Sequence, residues 1–477
     1  MKFIRLHILV ILSYLGLILF AACSKEVSAE IVPSQPVSIT GLQLSTNSLR
    51  LSVGGSASLR AIAFLRSDGT TQSLGTARVS WQTNDGKVAS VTAEGRVTGV
   101  AEGQAIVTAS AQGVSARVEV TVCSDLSTTG ISEPFLAAQI YSMGNYLKSN
   151  AVIQGFDLAR DGTIYYMQLA GSNAHQLLVV QAKPNKSGFT SSCEGAMTLQ
   201  YFGHGTNYAM EENSDGIYLW VGCYASMTTN PADARYRQYW NNQTIARVKY
   251  EPEKIIIPKQ CATQFYMGSY KEIHPAIDEK NDVLAINFPT SHPTEPRRFR
   301  MYRLSDAMAL PLSTVTLQEL TYGGGTSTDP QVTEAPKILV RDLRKLKPLG
   351  EFGIPNTALA PSPDDLSHYA WQGFEVDSGL IYYAEGEGNN NASVGSPSVA
   401  YLTIFDFEGH LVERRTKVSI ASDLATLTSL GITASGYMEA EGVRVRNGQL
   451  YLGFASRDKI NDAAKIRANI FSYKKVR

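Results

Sequence analysis

From about residue 37 to 122, apolar and polar positions alternate in short runs separated by Gly and Asp: SLRLSV, SASLRAIAF, RVSWQT, RVTGV, QAIVTASA and ARVEVTV. A period of two at this spacing predicts the short strands of a β-sandwich, with Trp81 as its core aromatic. Further on, a longer phrase recurs. IQGFDLARDGTIYYMQ at 153–168 returns as WQGFEVDSGLIYYAEG at 371–386, and related runs stand at 206–221, 273–288 and 440–455. Each joins an alternating run to a second run rich in Ile, Leu and Tyr. The junction is Asp-Gly, Asn-Asp, Ser-Gly or Asn-Gly, residues that accept positive φ, so each phrase predicts a β-hairpin. Another strand-like run follows each copy: HQLLVVQAKP, TIARVKYEPEK, RRFRMYRLSD, YLTIFDFEGH and NIFSYKKV. A hairpin plus one strand cannot cover both of its own faces, but five such units stacked radially cover one another. The expectation is an all-β chain: a sandwich, then a five-bladed β-propeller over 124–477 closed by the last strand. The largest insertion falls between 309 and 370, and a long sandwich or solenoid is the alternative.

Aligning the hairpins places Gln154, Asn207, His274, Gln372 and Glu441 at one equivalent position, followed by Gly in three copies. Polar residues at the start of inner strands suit a ring around the mouth of a central channel, with His204 close by. The competing expectation is that each merely bonds the backbone of a neighbouring blade. Asp157 and Glu375 lie three residues beyond the ring position, where strict strand alternation turns them to the opposite face.

At the N-terminus, MKFIRLHILVILSYLGLILFAAC sets Lys2 and Arg5 ahead of an apolar run that ends in Ala-Ala-Cys, the pattern of an export signal over 1–22. It resembles the lipobox of bacterial lipoproteins, which implies lipidation of Cys23, a polar tether over 23–36, and an outer-membrane or cell-surface location. A plain signal peptide or a membrane span is the alternative. The segment VSWQTNDGKVASVTAEGRVTGVAEGQAIVTA, with Gly95, Val97 and Gly99, resembles the group 2 bacterial immunoglobulin-like domain, which implies an immunoglobulin-like β-sandwich over 37–122 acting as a surface spacer. The Gln-Gly-Phe hairpin starts and Gly203–Thr206 resemble propellers of phage receptor-binding proteins, teichoic-acid-associated proteins and helveticin J-like bacteriocins. That resemblance implies recognition of a glycan or cell-wall-type polymer.

Lys plus Arg and Asp plus Glu both number 43, so the basic excess of a nucleic-acid binder is missing. Cys123, Cys193, Cys223 and Cys261 permit two disulfides in an exported chain or remain as buried thiols, and none sits at zinc-ligand spacing. No cofactor motif is present. The run EGEGNNNAS at 385–393, with Glu385 and Glu387, is rich enough in oxygen to hold calcium, though a solvated inter-strand loop is the better reading. Catalytic motifs such as GxSxG, HExxH and a phosphate loop are missing, which weighs against an enzyme. The leading expectation is a lipid-anchored surface protein whose channel mouth binds a glycan. A polysaccharide hydrolase or lyase using Glu441 and His274 is the alternative, and an adhesin or scaffold binding a protein partner is a third reading.

Overall fold

In a computed structural model, the structure describes residues 39–65, 71–73, 79–123, 135–141, 151–170, 173–184, 191–225, 241–292, 295, 297–322, 327, 330–354, 366, 368–388, 398–457 and 467–473. The export signal, Cys23, the tether and Asn389–Asn391 of the oxygen-rich run lie outside these residues. Strands dominate the chain from residue 39 onward.

The alternating runs of 39–123 form three small sheets. The largest orders Ser48–Ser52, Val114–Cys123, Gly103–Ala111 and Ser80–Thr83 side by side. Their inward residues, among them Leu49, Leu51, Val107, Val118 and Val120, are fully buried, as period-two alternation requires.

Beyond residue 135, five further sheets follow one pattern, in which each opens on one of the repeated hairpins. Their inner strands are Ile153–Leu158, Ala209–Asn213, His274–Asp278, Trp371–Asp377 and Tyr437–Arg446. Around the assembly each inner strand packs against the next, and the fifth packs against the first. The arrangement is propeller-like. Where the hairpins turn, Ser378–Gly379 takes φ of 50 and 78 and Asn447–Gly448 takes 53 and 72, the two positive values a tight two-residue turn needs. The fifth sheet is completed by an N-terminal strand, Phe135–Tyr141, antiparallel to Arg467–Ser472. That sheet therefore joins a strand from the front of this part of the chain to strands from its back. The long insertion adds Lys337–Asp342 and Leu312–Thr316 to the second sheet and supplies the fourth strand of the third, Gly350–Ile354.

The axis between the inner strands is filled. Gly373 and Gly442 have φ of 128 and 129; a Cβ on Gly373 would stand 3.0 Å from Asn207 Oδ1 and 3.4 Å from Gly442 Cα. Asn207 Nδ2 donates to Pro275 O at 2.9 Å, and its Oδ1 accepts from Phe374 N at 2.8 Å. One amide thus pins three strands. Beneath this layer lies Arg444, 1% exposed, with Nε 3.3 Å from Asp157 Oδ2 and 3.7 Å from Glu375 Oε2. Its guanidinium donates to the carbonyls of Tyr208 and Phe374. Arg446 bonds the same two carboxylates, at 2.5 Å to Asp157 and 3.0 Å to Glu375.

Strict alternation had turned Asp157 and Glu375 away from the axis, and the structure reverses this. Register shifts between Ile153 and Gly155, Trp371 and Gly373, and Ala440 and Val443 insert bulge residues, and each bulge flips the alternation that follows it.

The sandwich is no free spacer. It sits on the hairpin-turn side of the propeller-like part and shares a hydrophobic core with it, Leu49 and Leu51 belonging to the same cluster as Leu380, Tyr382 and Leu402. Ser48 Oγ donates to Asn281 Oδ1 at 2.9 Å, Arg60 Nε to Glu408 at 2.7 Å, and Ser58 N to Asp406 Oδ2 at 2.9 Å. Arg50 lies 3.7 Å from Asp377, beside the axis. Cys123, Cys223 and Cys261 are free thiols.

Removing one member of a buried ion cluster leaves its partners charged and unpaired, at a cost of about 3–5 kcal/mol. Arg444→Leu is expected to lower the unfolding free energy by that amount in urea titration, while Gln372→Ala at the mouth changes it by less than about 1 kcal/mol. Equal effects of the two variants would contradict the role assigned to the cluster.

Candidate functional site

The axis opening away from the sandwich is formed by the starts of the inner strands and the loops that lead into them. All five ring positions converge there, because the glycine that follows three of them, and the Asn207 amide, bring their backbones together. Their fates differ. Asn207, 4% exposed, is spent on the two interstrand bonds already described. Gln372 Nε2 donates to Gly386 O at 3.1 Å, a backbone-bonding role. Gln154 is buried against the axis.

His274 and Glu441 are placed differently. His274, 5% exposed, lies 4.7 Å ring to ring from Trp371, and its Nε2 has no hydrogen-bond partner. Its nearest acid is Glu272, at 3.9 Å, too long for a hydrogen bond. Glu272 is held by Arg297 at 2.6 Å; Arg297 also donates to Asn287 Oδ1 and lies 4.4 Å over the Trp371 ring. Glu441, 7% exposed, has a buried Oε1 without a partner, as does Trp371 at Nε1. His274, Trp371 and Glu441 stand on three consecutive inner strands. His204 Nδ1 lies 2.6 Å from Thr206 Oγ1 in the loop that enters the second sheet.

Burial sets the protonation of these groups. It depresses His204 to about 4, with His274 adding to the shift, and lowers His274 as well. Burial opposes ionisation of Glu272, yet its contacts with His274 and Arg297 hold it at about 2. Glu441 is pushed well above the carboxylate range by burial and by the like charge of Glu439. At neutral pH the mouth therefore holds neutral imidazoles and a charge-paired Arg297–Glu272, with the Glu441 carboxyl biased toward its protonated form.

Among the described aromatics Tyr208, Trp220, Trp371 and Tyr437, which sit near the hairpin starts and could stack on a sugar, Tyr208 and Trp220 are fully buried packing residues. Trp220 stacks on Phe265 at 4.8 Å and donates to Glu211. Trp371 alone of these combines a half-buried ring with an unbonded N–H. Among the described residues no group of three His, Cys, Asp or Glu is placed to hold a metal.

Backbone strain marks the same face. Gln112, Glu253, Asp282, Ser378 and Asn447 take positive φ in ordinary turns, but Tyr201, Asn207, Tyr224 and Glu272, at 67, 54, 58 and 55, do so in the loops around and beside the mouth. No residue type betrays this in a sequence, since only Asn among the four favours the conformation.

Residues 38–122 match the bacterial Ig-like domain (group 2) family. A Bacillus subtilis (strain 168) protein provisionally named major teichoic acid biosynthesis protein C is 23% identical over 249 residues, which cover 52% of this chain and 42% of that protein. The chain thus spans less than half of that relative's length. Among solved structures, the tail fibre of Staphylococcus aureus phage P68 is similar with a TM-score of 0.44 and 14% identity, over 72% of this chain and 53% of that one. The WD40 domain of Neurospora crassa Pan2 is similar with a TM-score of 0.31 and 6% identity, over 72% of this chain and 96% of that one.

The depressed histidines generate a pH dependence. A group whose folded pKa lies below its unfolded value near 6.5 contributes stability that is complete above that pH and lost as pH falls toward the folded pKa. Between pH 6.5 and 4 the unfolding free energy is expected to fall with a slope of up to about 1.4 kcal/mol per pH unit from His204. His204→Gln removes that part of the slope in urea titrations at stepped pH; an unchanged slope would contradict it.

Proposed function

We propose that the five sheets form a closed five-bladed propeller, and that its mouth binds a glycan or a related surface polymer. The carrying observation is the set of three buried polar atoms without partners, Glu441 Oε1, His274 Nε2 and Trp371 Nε1, on consecutive strands at the axis opening. Buried polar groups without partners are costly, and a ligand rich in hydroxyls supplies both donors and acceptors. Because the charges at the mouth are paired or neutralised, the site suits a polyhydroxyl chain better than a lone ion. Trp371 adds an aromatic surface. The likeness to a relative whose name concerns teichoic acid supports a polymer of that general kind.

In this reading the protein is displayed at a cell surface, held by lipid on Cys23, and the mouth lies on the face opposite the immunoglobulin-like sandwich. Arrays of glycans and wall polymers probed with the full chain test the binding. Specific binding is expected, and Trp371→Phe, which keeps the ring but removes the N–H, should weaken it about five- to tenfold. Binding that ignores Trp371→Phe and His274→Gln would move the ligand away from the mouth, and capture of a protein in place of a glycan would favour the adhesin reading.

A second reading has its own observation. Burial and the like charge of Glu439 bias Glu441 toward its protonated form, and Glu439 accepts from Tyr437 Oη. A neutral acid near a second carboxylate is the pairing that glycoside hydrolysis uses. Release of shortened sugars from a bound polymer, abolished in Glu441→Gln while binding persists, would establish it. Intact polymer after prolonged incubation would dismiss it.

A further inference from the structure

Beside the mouth, the structure holds an open cavity of about 550 Å³, lined by Gln200, Tyr201, Tyr224, Lys259, Glu334 and Lys337 among others. Four separate parts of the chain build it. Tyr201 follows the fourth strand of the first sheet, Ser191–Gln200, and Tyr224 follows the second strand of the next, Gly216–Cys223. The turn Pro258–Gln260 and the inserted ribbon Leu320–Tyr322 with Val332–Glu334 complete the walls. Ala225 N donates to Tyr201 O at 3.1 Å, which ties the two tyrosine segments together.

Both tyrosines occupy the left-handed region, with φ of 67 and 58. Glycine holds that conformation without penalty, whereas a side chain with a Cβ resists it. Two tyrosines held so, side by side and 6% and 7% exposed, indicate that the rings themselves are what the positions need. Gln200 Nε2 donates to Tyr201 Oη at 3.3 Å, which fixes one ring. At the rim, Lys259 and Lys337 are exposed, and among the described residues neither forms an ion pair. Glu334 sets one negative charge against these two positive ones.

We propose that this cavity is a second binding site, distinct from the mouth, for a sugar residue that carries a negative charge. The ring of the sugar lies between Tyr201 and Tyr224, and its phosphate or carboxylate meets Lys259 and Lys337. Gln200 and Glu334 offer the amide and carboxylate that bond sugar hydroxyls. The volume suits one or two sugar units. Only the shared chemistry, a sugar with an anionic group, follows from two lysines; the probes separate its two sources.

Titration calorimetry of the full chain with glucose 1-phosphate, glucuronate and glucose tests the site. At least one anionic sugar is expected to bind at least tenfold more tightly than glucose, with affinity falling as salt rises. A preference for the phosphate or for the carboxylate names the source. The Lys259→Ala, Lys337→Ala double variant should lose this preference. Tyr224→Gly, which removes the ring, should weaken binding at least tenfold and, because that ring is buried in a hydrophobic cluster, should also lower the thermal midpoint. Trp371→Phe, at the mouth, should leave these affinities unchanged, which separates failure of this site from failure of the mouth. Equal binding of glucose and both anions, no binding of either anion at about 10 mM, or full affinity in the lysine double variant would overturn the proposal.

Discussion

The propeller-like part is held at its centre by charge. Arg444 and Arg446 reach from one inner strand to Asp157 and Glu375 on two others, and the Arg444 guanidinium also takes up carbonyls of Tyr208 and Phe374. The cluster is balanced, two cations against two anions, with most of its hydrogen bonds satisfied. That balance lets it persist where isolated charges would be intolerable. Hydrophobic packing between neighbouring sheets, such as Phe299 with Phe374 and Tyr383, supplies the bulk of the attraction but does not fix which strand meets which. The ion cluster and the Asn207 amide do, since each bonds at least three strands at defined atoms.

A filled axis has a functional consequence. With the interior occupied by Gly373, Gly442, Asn207 and Arg444, the axis offers surface only at its two ends. The immunoglobulin-like sandwich already covers the turn end, where Ser48, Arg50, Ser58 and Arg60 meet Asn281, Asp377, Asp406 and Glu408. The opposite end carries Glu441 Oε1, His274 Nε2 and Trp371 Nε1, none with a hydrogen-bond partner, and most of the strained loops that are not ordinary turns. This asymmetry, more than any single residue, directs attention to the mouth and to the tyrosine-walled cavity beside it.

Much of this architecture was legible in the residues. Turn dipeptides such as Ser378–Gly379 and Asn447–Gly448 announced the hairpins, because positive φ is costly for most other residues. The equivalence of Gln154, Asn207, His274, Gln372 and Glu441 brought out the ring. The aligned column three residues on, Asp157, Met210, Ile277, Glu375 and Arg444, already contained two acids and a base, a signal of mutual pairing that strict alternation hid. A bulge has no composition of its own beyond a glycine, so the flip it causes could not be read locally. Neither could the seating of the sandwich, which rests on contacts hundreds of residues apart, nor the left-handed tyrosines at 201 and 224, which break the local rule that would have revealed them.

The central claim is that the ligand is bound at the axis opening remote from the sandwich. Hydrogen exchange of the full chain, with and without a glycan that binds it, tests this most directly, because protection reports position without any substitution. The account predicts slowed exchange in 201–208, 272–275, 371–373 and 439–442, with the turn-side segments 279–282 and 446–448 unchanged. Protection confined to the turn side or to the sandwich strands, with the mouth unaffected, would contradict it.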